Sequence, residues 1–319
     1  MIIEKWKNAN TYVIGKYHID SNLACQDRTY YDEGNGIKVV VLADGAGSQK
    51  KSEIGAEITC KCICDLMINN FTQYLLMFEN EKTSPNRHRD CMRKLSKEII
   101  STATEKLKEK ALELNMPVGG LASTLLFFAI SDAFYIMGHI GDGVIAGLFS
   151  ENNSLNVKIL SEPENGSASN ITFFVTDSDA ADHLRLSAGK LENLIGVLLT
   201  SDGAGDVLFN ANGVDKSVVE LFVKFNRKTS GDYEKILSEY LSKVVSNYSR
   251  DDLSLNIIVL EDVEMESVTD DYKKYLLDDI TSSVQIIRRS NYCYFLDPSI
   301  DSNNEFNTIE EVMEYLEWN

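Results

Sequence analysis

Aspartate recurs where short apolar runs end. Residues 37–43 run into Asp44-Gly45-Ala46-Gly47, and residues 133–140 into Gly141-Asp142-Gly143. Residues 194–200 run into Ser201-Asp202-Gly203-Ala204-Gly205-Asp206. Asp251-Asp252 stands before the run 254–260, and Gln26-Asp27 lies ahead of the first run. One Asp-Gly pair alone is a turn signal. The repetition carries the chemistry. Aspartates at equivalent ends of adjacent strands converge at one sheet edge, where they repel and raise one another's pKa unless a cation neutralises them. Oxygen-only ligands select hard cations such as Mg²⁺ or Mn²⁺ over zinc. Glycine after the aspartate lets backbone and water approach closely. Two such ions about 3.5–4 Å apart are a standard device of phosphoryl chemistry.

Other reactive types read more plainly. His139 is expected to be a structural residue in or near the core, and His88 and His183 loop residues. Cys60, Cys62 and Cys64 fall on one expected helix, which spreads them around its axis, so they read as small buried hydrophobes. Gly119-Gly120 before Ser123-Thr124 lacks the lysine of a phosphate loop and leads into a strand. No Gly-x-Ser-x-Gly nucleophile elbow surrounds Ser201.

Seven short apolar runs, 37–43, 122–130, 133–140, 144–149, 171–176, 194–200 and 254–260, read as strands. Several are apolar on both faces, which calls for cover on both sides. Helical periodicity marks 50–79, 90–114, 216–225 and 233–248, with a polar loop over 82–89. The order is not a regular β-α-β alternation, so a sheet-rich α+β core flanked by helices is expected.

The chain of 319 residues carries a net charge of −18, which disfavours nucleic acid and anionic membrane as partners. Residues 261–319 hold 15 acidic and 4 basic residues, most of the excess. There the strand pattern ends. Helices at 270–289 and 308–318 would belong to a small unit packed on the core or to a partner-binding arm. No apolar run reaches membrane-spanning length, and the first ten residues lack the apolar core of a signal peptide. The six cysteines show no zinc spacing, which fits reduced thiols in a cytoplasm.

In order and spacing the motifs resemble the metal-dependent Ser/Thr protein phosphatases of type 2C, in their compact bacterial form. The matching pieces are Cys25-Gln26-Asp27, Ala43-Asp44-Gly45-Ala46-Gly47 and Gly119-Gly120-Leu121-Ala122-Ser123-Thr124. They continue with Gly138-His139-Ile140-Gly141-Asp142-Gly143, Thr200-Ser201-Asp202-Gly203-Ala204-Gly205-Asp206 and Asp251-Asp252-Leu253-Ser254. The resemblance implies a type 2C phosphatase-like sandwich of two antiparallel sheets flanked by helices over residues 1–262, with 263–319 as an acidic C-terminal extension. It implies a two-ion Mg²⁺ or Mn²⁺ site. Asp44 would bridge both ions, the Gly45 carbonyl would touch one, and Asp202 and Asp251 would hold the other. Asp27 would be an outer carboxylate, and Asp142 and Asp206 would match a third ion position. The implied reaction is attack on phosphorus by a metal-activated water, without a covalent intermediate. The implied partners are a phosphorylated protein substrate and a Ser/Thr kinase that the enzyme opposes.

Three positions depart from the pattern. Asn22 stands where the family has a phosphate-clamping arginine, and a neutral amide lacks that charge. His18 and Asn22 are the phosphate-contact candidates, with Lys16 and Arg28 nearby. Ala46 replaces a histidine that can protonate the leaving group, and Asp252 replaces an asparagine. Two readings stand at this point: a phosphoserine/phosphothreonine phosphatase, or a pseudophosphatase that binds phosphoproteins. An interaction protein working through its acidic tail is a third.

Overall fold

Residues 37–43 have no polar face apart from Lys38. Their alternate side chains enter two different cores. Val39, Val41 and Ala43 pack toward helices, while Val40 and Leu42 pack toward a second sheet. The next strand repeats this, with Leu125, Phe127 and Ala129 on one side and Leu126, Phe128 and Ile130 on the other. A strand apolar on both faces is the mark of a sheet covered on both faces.

The computed structural model describes residues 2–80, 85–151, 154–164, 172–210, 213–214, 216–226 and 228–261. The expected extension 263–319, with its two helices, lies outside them. The elements are β1 (Trp6–Val13), α1 (Lys16–Asp20), β2 (Arg28–Gly34), β3 (Ile37–Ala43), α2 (Ser52–Asn80) and α3 (Pro85–Glu113). Next come β4 (Leu125–Ile130), β5 (Phe134–Ile140), β6 (Val144–Glu151), β7 (Ser154–Ser161), α4 (Ala180–His183), β8 (Arg185–Lys190) and β9 (Leu194–Thr200). The remainder are α5 (Asp202–Leu208), β10 (Phe209–Asn210), β11 (Gly213–Val214), α6 (Lys216–Asn226), α7 (Ser230–Lys243) and β12 (Leu253–Leu260).

Two five-stranded antiparallel sheets result, ordered β1-β12-β9-β6-β7 and β2-β3-β4-β5-β8, with β10-β11 as a separate hairpin. Between the sheets lie Val40, Leu42, Leu126, Phe128 and Met137 from one, and Trp6, Ile145, Val197, Leu199 and Ile258 from the other. Helices α2 and α3 cover the outer face of the second sheet through Ile63, Met67, Phe71, Leu95, Ile99 and Leu107. Helices α6 and α7 lie against β12 and β1 of the first. The fold is the expected α+β sandwich with helices on both outer faces. No helix among the described residues is long and apolar enough to cross a membrane.

Three expectations about elements are corrected. Residues 172–176 form a turn, not a strand. The Asp177 carboxylate accepts from the Phe174 N–H at 2.8 Å, a local bond that competes with a sheet ladder. Helix α3 begins at Pro85, inside the expected loop, so His88 is helical, and His183, also expected in a loop, is the last residue of α4. Proline is well suited to the first helical turn, where its missing N–H costs nothing.

Candidate active site

The registers bring the aspartates to one end of the sandwich. Arg28 pairs with Ala43, which sets Asp27 beside Asp44. Val144 and Leu255 both pair with Thr200, which sets the Asp142 turn and the Asp251-Asp252 entry to β12 on either side of Asp202. Antiparallel pairing makes this convergence possible, because strand starts and strand ends alternate along one edge.

Each segment is fixed locally. The Asp44 N–H donates to Thr124 Oγ1 at 2.9 Å, and the Thr124 N–H donates to the Asp44 carbonyl at 2.8 Å. Ser123 bridges to Gly45. Ser123-Thr124 therefore clamps the Asp44 loop and is no phosphate loop. A side chain at Gly45 would sit 2.8 Å from Ser52 Cβ and 2.9 Å from the Gln26 carbonyl, so only glycine fits. Gly141 has φ +116, which L side chains rarely adopt, and it turns the chain into Asp142. Thr172 Oγ1 donates to Asp142 Oδ2. Asp202 opens α5, with the Gly203 N–H donating to its own Oδ1 at 2.6 Å. Asp251 is exposed, and its Oδ1 accepts from the Asp252 N–H at 2.8 Å.

Asp44, Asp142 and Asp202 each offer a carboxylate oxygen, and the three atoms lie within 4.8 Å of one another. Asp251 and Asp206 stand outside this triplet, and Asp206 is exposed. Behind the triplet, Asp27 is fully buried. Among the described residues, neither of its oxygens has a hydrogen-bond partner. The Ser254 and Ser201 hydroxyls stand near enough to favour its charged form without reaching bonding geometry.

The electrostatics follow. Burial, then the Asp252 charge, push Asp27 up to about 6. Burial, then Asp142, Asp251 and Asp27, push Asp202 up to about 7. Burial, then Asp27, Asp202 and Asp142, hold Asp44 well above the carboxylate range. Asp142 is raised mainly by burial. Four crowded carboxylates with raised proton affinity, one of them buried without a partner among the described residues, fit a hard divalent cation bound through oxygen. Glycines with no room for a side chain allow the close approach.

The two phosphate-contact candidates lie elsewhere. His18 is buried, with Nδ1 2.7 Å from Asp252 Oδ2, so its imidazole is spent on a carboxylate. Asn22 is exposed and left-handed, φ 53, at the end of α1, where the Leu23 N–H donates to the His18 carbonyl at 2.9 Å. That is a helix-ending turn, for which asparagine is a common residue after glycine. Arg28 Nη1 donates to the carbonyls of Cys25 and Asp27 at 2.8 and 2.7 Å. The Thr172 bond to Asp142 and the His18–Asp252 pair have no signal in the sequence, because no periodicity or motif links the partners. His139 is fully buried, with Nδ1 2.9 Å from Ser161 Oγ, as a structural residue would be.

A sequence model described as protein phosphatase 2C matches residues 14–243. No curated protein sequence matches. Among solved structures, the S. agalactiae serine/threonine phosphatase is 17% identical at a TM-score of 0.54, over 80% of this chain and 100% of that one. Serine/threonine phosphatase Stp1 from Staphylococcus aureus is 16% identical at 0.52, over 80% and 95%. The serine-threonine phosphatase 2C from Toxoplasma gondii is 12% identical at 0.53, over 80% and 95%. These likenesses establish the fold. With the family match spanning most of the sandwich, and the aspartates of its motifs gathered at one edge, the chain belongs to the protein phosphatase 2C family of phosphoprotein hydrolases.

Proposed function

We propose that the protein hydrolyses phosphoserine and phosphothreonine in phosphorylated proteins, using two Mg²⁺ or Mn²⁺ ions at the carboxylate edge. Asp44, Gly45, Asp202 and Asp251 are the ligands in this reading, with Asp27 in the outer sphere. Asp142 and Asp206 face a third position. Asp142 belongs with the first ligands as well, given its place beside Asp44 and Asp202. The observation that carries the reading is the buried carboxylate of Asp27 behind that triplet. An unpaired buried charge is costly, and a cation at the triplet offsets it.

When bound, such ions supply an activated water nucleophile at neutral pH and a positive field over the phosphoryl oxygens. The protein's own part is positional. The β3–β4 clamp fixes Asp44, the Gly141 turn and Thr172 fix Asp142, and the start of α5 fixes Asp202. With Ala46 in place of a histidine, the leaving serine or threonine oxygen takes its proton from water. The natural substrate is a phosphoprotein made by a Ser/Thr kinase, and the setting proposed is the cytoplasm.

The experiment is hydrolysis of p-nitrophenyl phosphate and a phosphothreonine peptide with EDTA, Mg²⁺ or Mn²⁺, beside Asp44→Asn and Asp202→Asn. The expected result is Mn²⁺-dependent turnover that falls about a thousandfold in either variant, roughly 4 kcal/mol of transition-state stabilisation. Metal binding without turnover of either substrate would replace this reading with the phosphoprotein-binding one.

A further inference from the structure

Asp252 sits at a crossing of chain segments. It is 2% exposed and accepts from three donors. Its Oδ1 takes the Gly15 N–H at 2.7 Å, and its Oδ2 takes the Gln26 N–H at 2.6 Å and His18 Nδ1 at 2.7 Å. A carboxylate has no hydrogen to give, so Nδ1 of His18 carries the proton in this contact. The packing around it is backbone against backbone. A side chain at Gly15 would lie 2.2 Å from the Asp251 carbonyl carbon, and one at Gly203 would lie 2.2 Å from the Asp252 carbonyl oxygen. The Tyr17 N–H donates to the Arg250 carbonyl at 2.8 Å, and the Asp252 N–H donates to Asp251 Oδ1 at 2.8 Å. Three ligand-bearing stretches therefore meet at one residue: Gln26-Asp27, Asp202-Gly203 and Asp251.

The usual asparagine cannot fill this role here. Its side chain has one acceptor oxygen and one amide nitrogen. Two backbone N–H groups donate to different oxygens of the Asp252 carboxylate, so an amide would point its own N–H₂ at one of them. A carboxylate satisfies both and leaves a lone pair for the histidine. Asp252, one of this chain's departures, is thus explained by the donors around it, His18 among them.

We propose that His18 and Asp252 form a positioning pair that sets the geometry of the metal-binding carboxylates. The pair touches neither substrate nor ion; it holds Asp27, Asp202 and Asp251 in register through their backbones. The inference rests on the metal reading above.

The test is Mn²⁺ affinity of the full chain by calorimetry, well below each variant's melting temperature, with melting and steady-state kinetics alongside. The variants are His18→Leu, His18→Asn, Asp252→Asn and the double variant His18→Leu/Asp252→Asn. Removing a partner of a metal ligand typically weakens binding about 10- to 100-fold. His18→Leu and Asp252→Asn should each weaken Mn²⁺ binding by about tenfold, and the double variant by little more than the stronger single. The kcat should fall with the metal affinity while the KM for phosphopeptide stays put. His18→Asn, which returns a donor near the Nδ1 position, should recover most of the loss. It also carries the test should His18→Leu fail to fold. Melting temperatures that fall while Mn²⁺ affinity holds would overturn the proposal, since the pair would then only stabilise the fold. Losses that multiply in the double variant would overturn the pairing. Wild-type protein that binds no Mn²⁺ would sink the metal reading and this inference with it. Binding by the wild type with unaltered variants would sink this inference alone.

Discussion

Asp27 and Asp252 are carboxylates of nearly equal burial, 0% and 2% exposed, in segments that touch. Their surroundings are opposite. Asp252 accepts three hydrogen bonds and faces a histidine. Among the described residues Asp27 accepts none in bonding geometry, with the Ser254 and Ser201 hydroxyls and the Asp44 carboxyl close by. A folded chain tolerates a buried charge for one of two reasons: the protein neutralises it, or something else does. Asp252 is the first case and behaves as scaffold. Asp27 is the second, and its missing partner is the strongest sign of a cation at this edge.

The contrast gives opposite stability effects for similar substitutions. Breaking a buried, hydrogen-bonded charge leaves its partners orphaned and typically costs about 3–5 kcal/mol. Asp252→Leu should lose that much, read as a lower denaturation midpoint with or without metal. Asp27→Asn removes a repelled charge that lacks a partner. In EDTA it should melt at the wild-type temperature or a few degrees higher. If both variants destabilise the metal-free protein equally, the division between scaffold and site is wrong.

A ligand that binds only the folded state adds stability by mass action, about 2.7 kcal/mol at a hundred times its dissociation constant. Mn²⁺ at that excess should raise the wild-type melting temperature by roughly 5–10 °C, given about 2–4 °C per kcal/mol at this size. Asp44→Asn should lose most of the shift, and a purely scaffold substitution far from the site should keep it.

Acid sharpens the same comparison. Asp202 rises from 3.8 to about 7 and Asp27 from 3.8 to about 6. The folded chain therefore binds these protons more tightly than the unfolded chain. Stability without metal must grow as pH falls through about 7 toward 4, and these two groups add nothing further below the unfolded value. With saturating Mn²⁺ the slope should reverse over that window, because ion and proton compete for the same oxygens. Melting curves in EDTA and in Mn²⁺ between pH 4 and 8 would show crossing trends. Parallel curves would mean that the carboxylates are not where the metal binds.

The same physics explains what the sequence made legible. Six apolar runs were readable as strands, and they became β3, β4, β5, β6, β9 and β12. These are the inner strands of the two sheets. Within the two large sheets the strands that left no signal, β1, β2, β7 and β8, are the four edges. An edge strand is covered less completely, and in β1 the half-buried Lys7, Asn10 and Thr11, with Asn8 buried against Asn256, break the apolar pattern that marks a central strand. The aspartates were readable because they repeat at strand ends, which is a local signal. The His18–Asp252 pair was not, since it joins residues 234 positions apart and only the folded register brings them together. His18 and Asn22, taken from their nearness to the family's arginine position, illustrate the limit of counting along the chain. One residue is turned inward to a carboxylate and the other ends a helix.

Asn22 supplies the smallest and finest test. Its φ of 53 is a conformation that costs an ordinary L residue about 1 kcal/mol and costs glycine nothing. Asn22→Gly should therefore keep the melting temperature, while Asn22→Ala should lower it by about 2–4 °C. If the residue serves only the turn, the KM for a phosphothreonine peptide should stay within about twofold in both, well under 1 kcal/mol. A KM that rises tenfold in Asn22→Gly at unchanged stability would return the side chain to the phosphate. It would also mean that the α1 turn, and not only the carboxylate edge, belongs to the substrate surface.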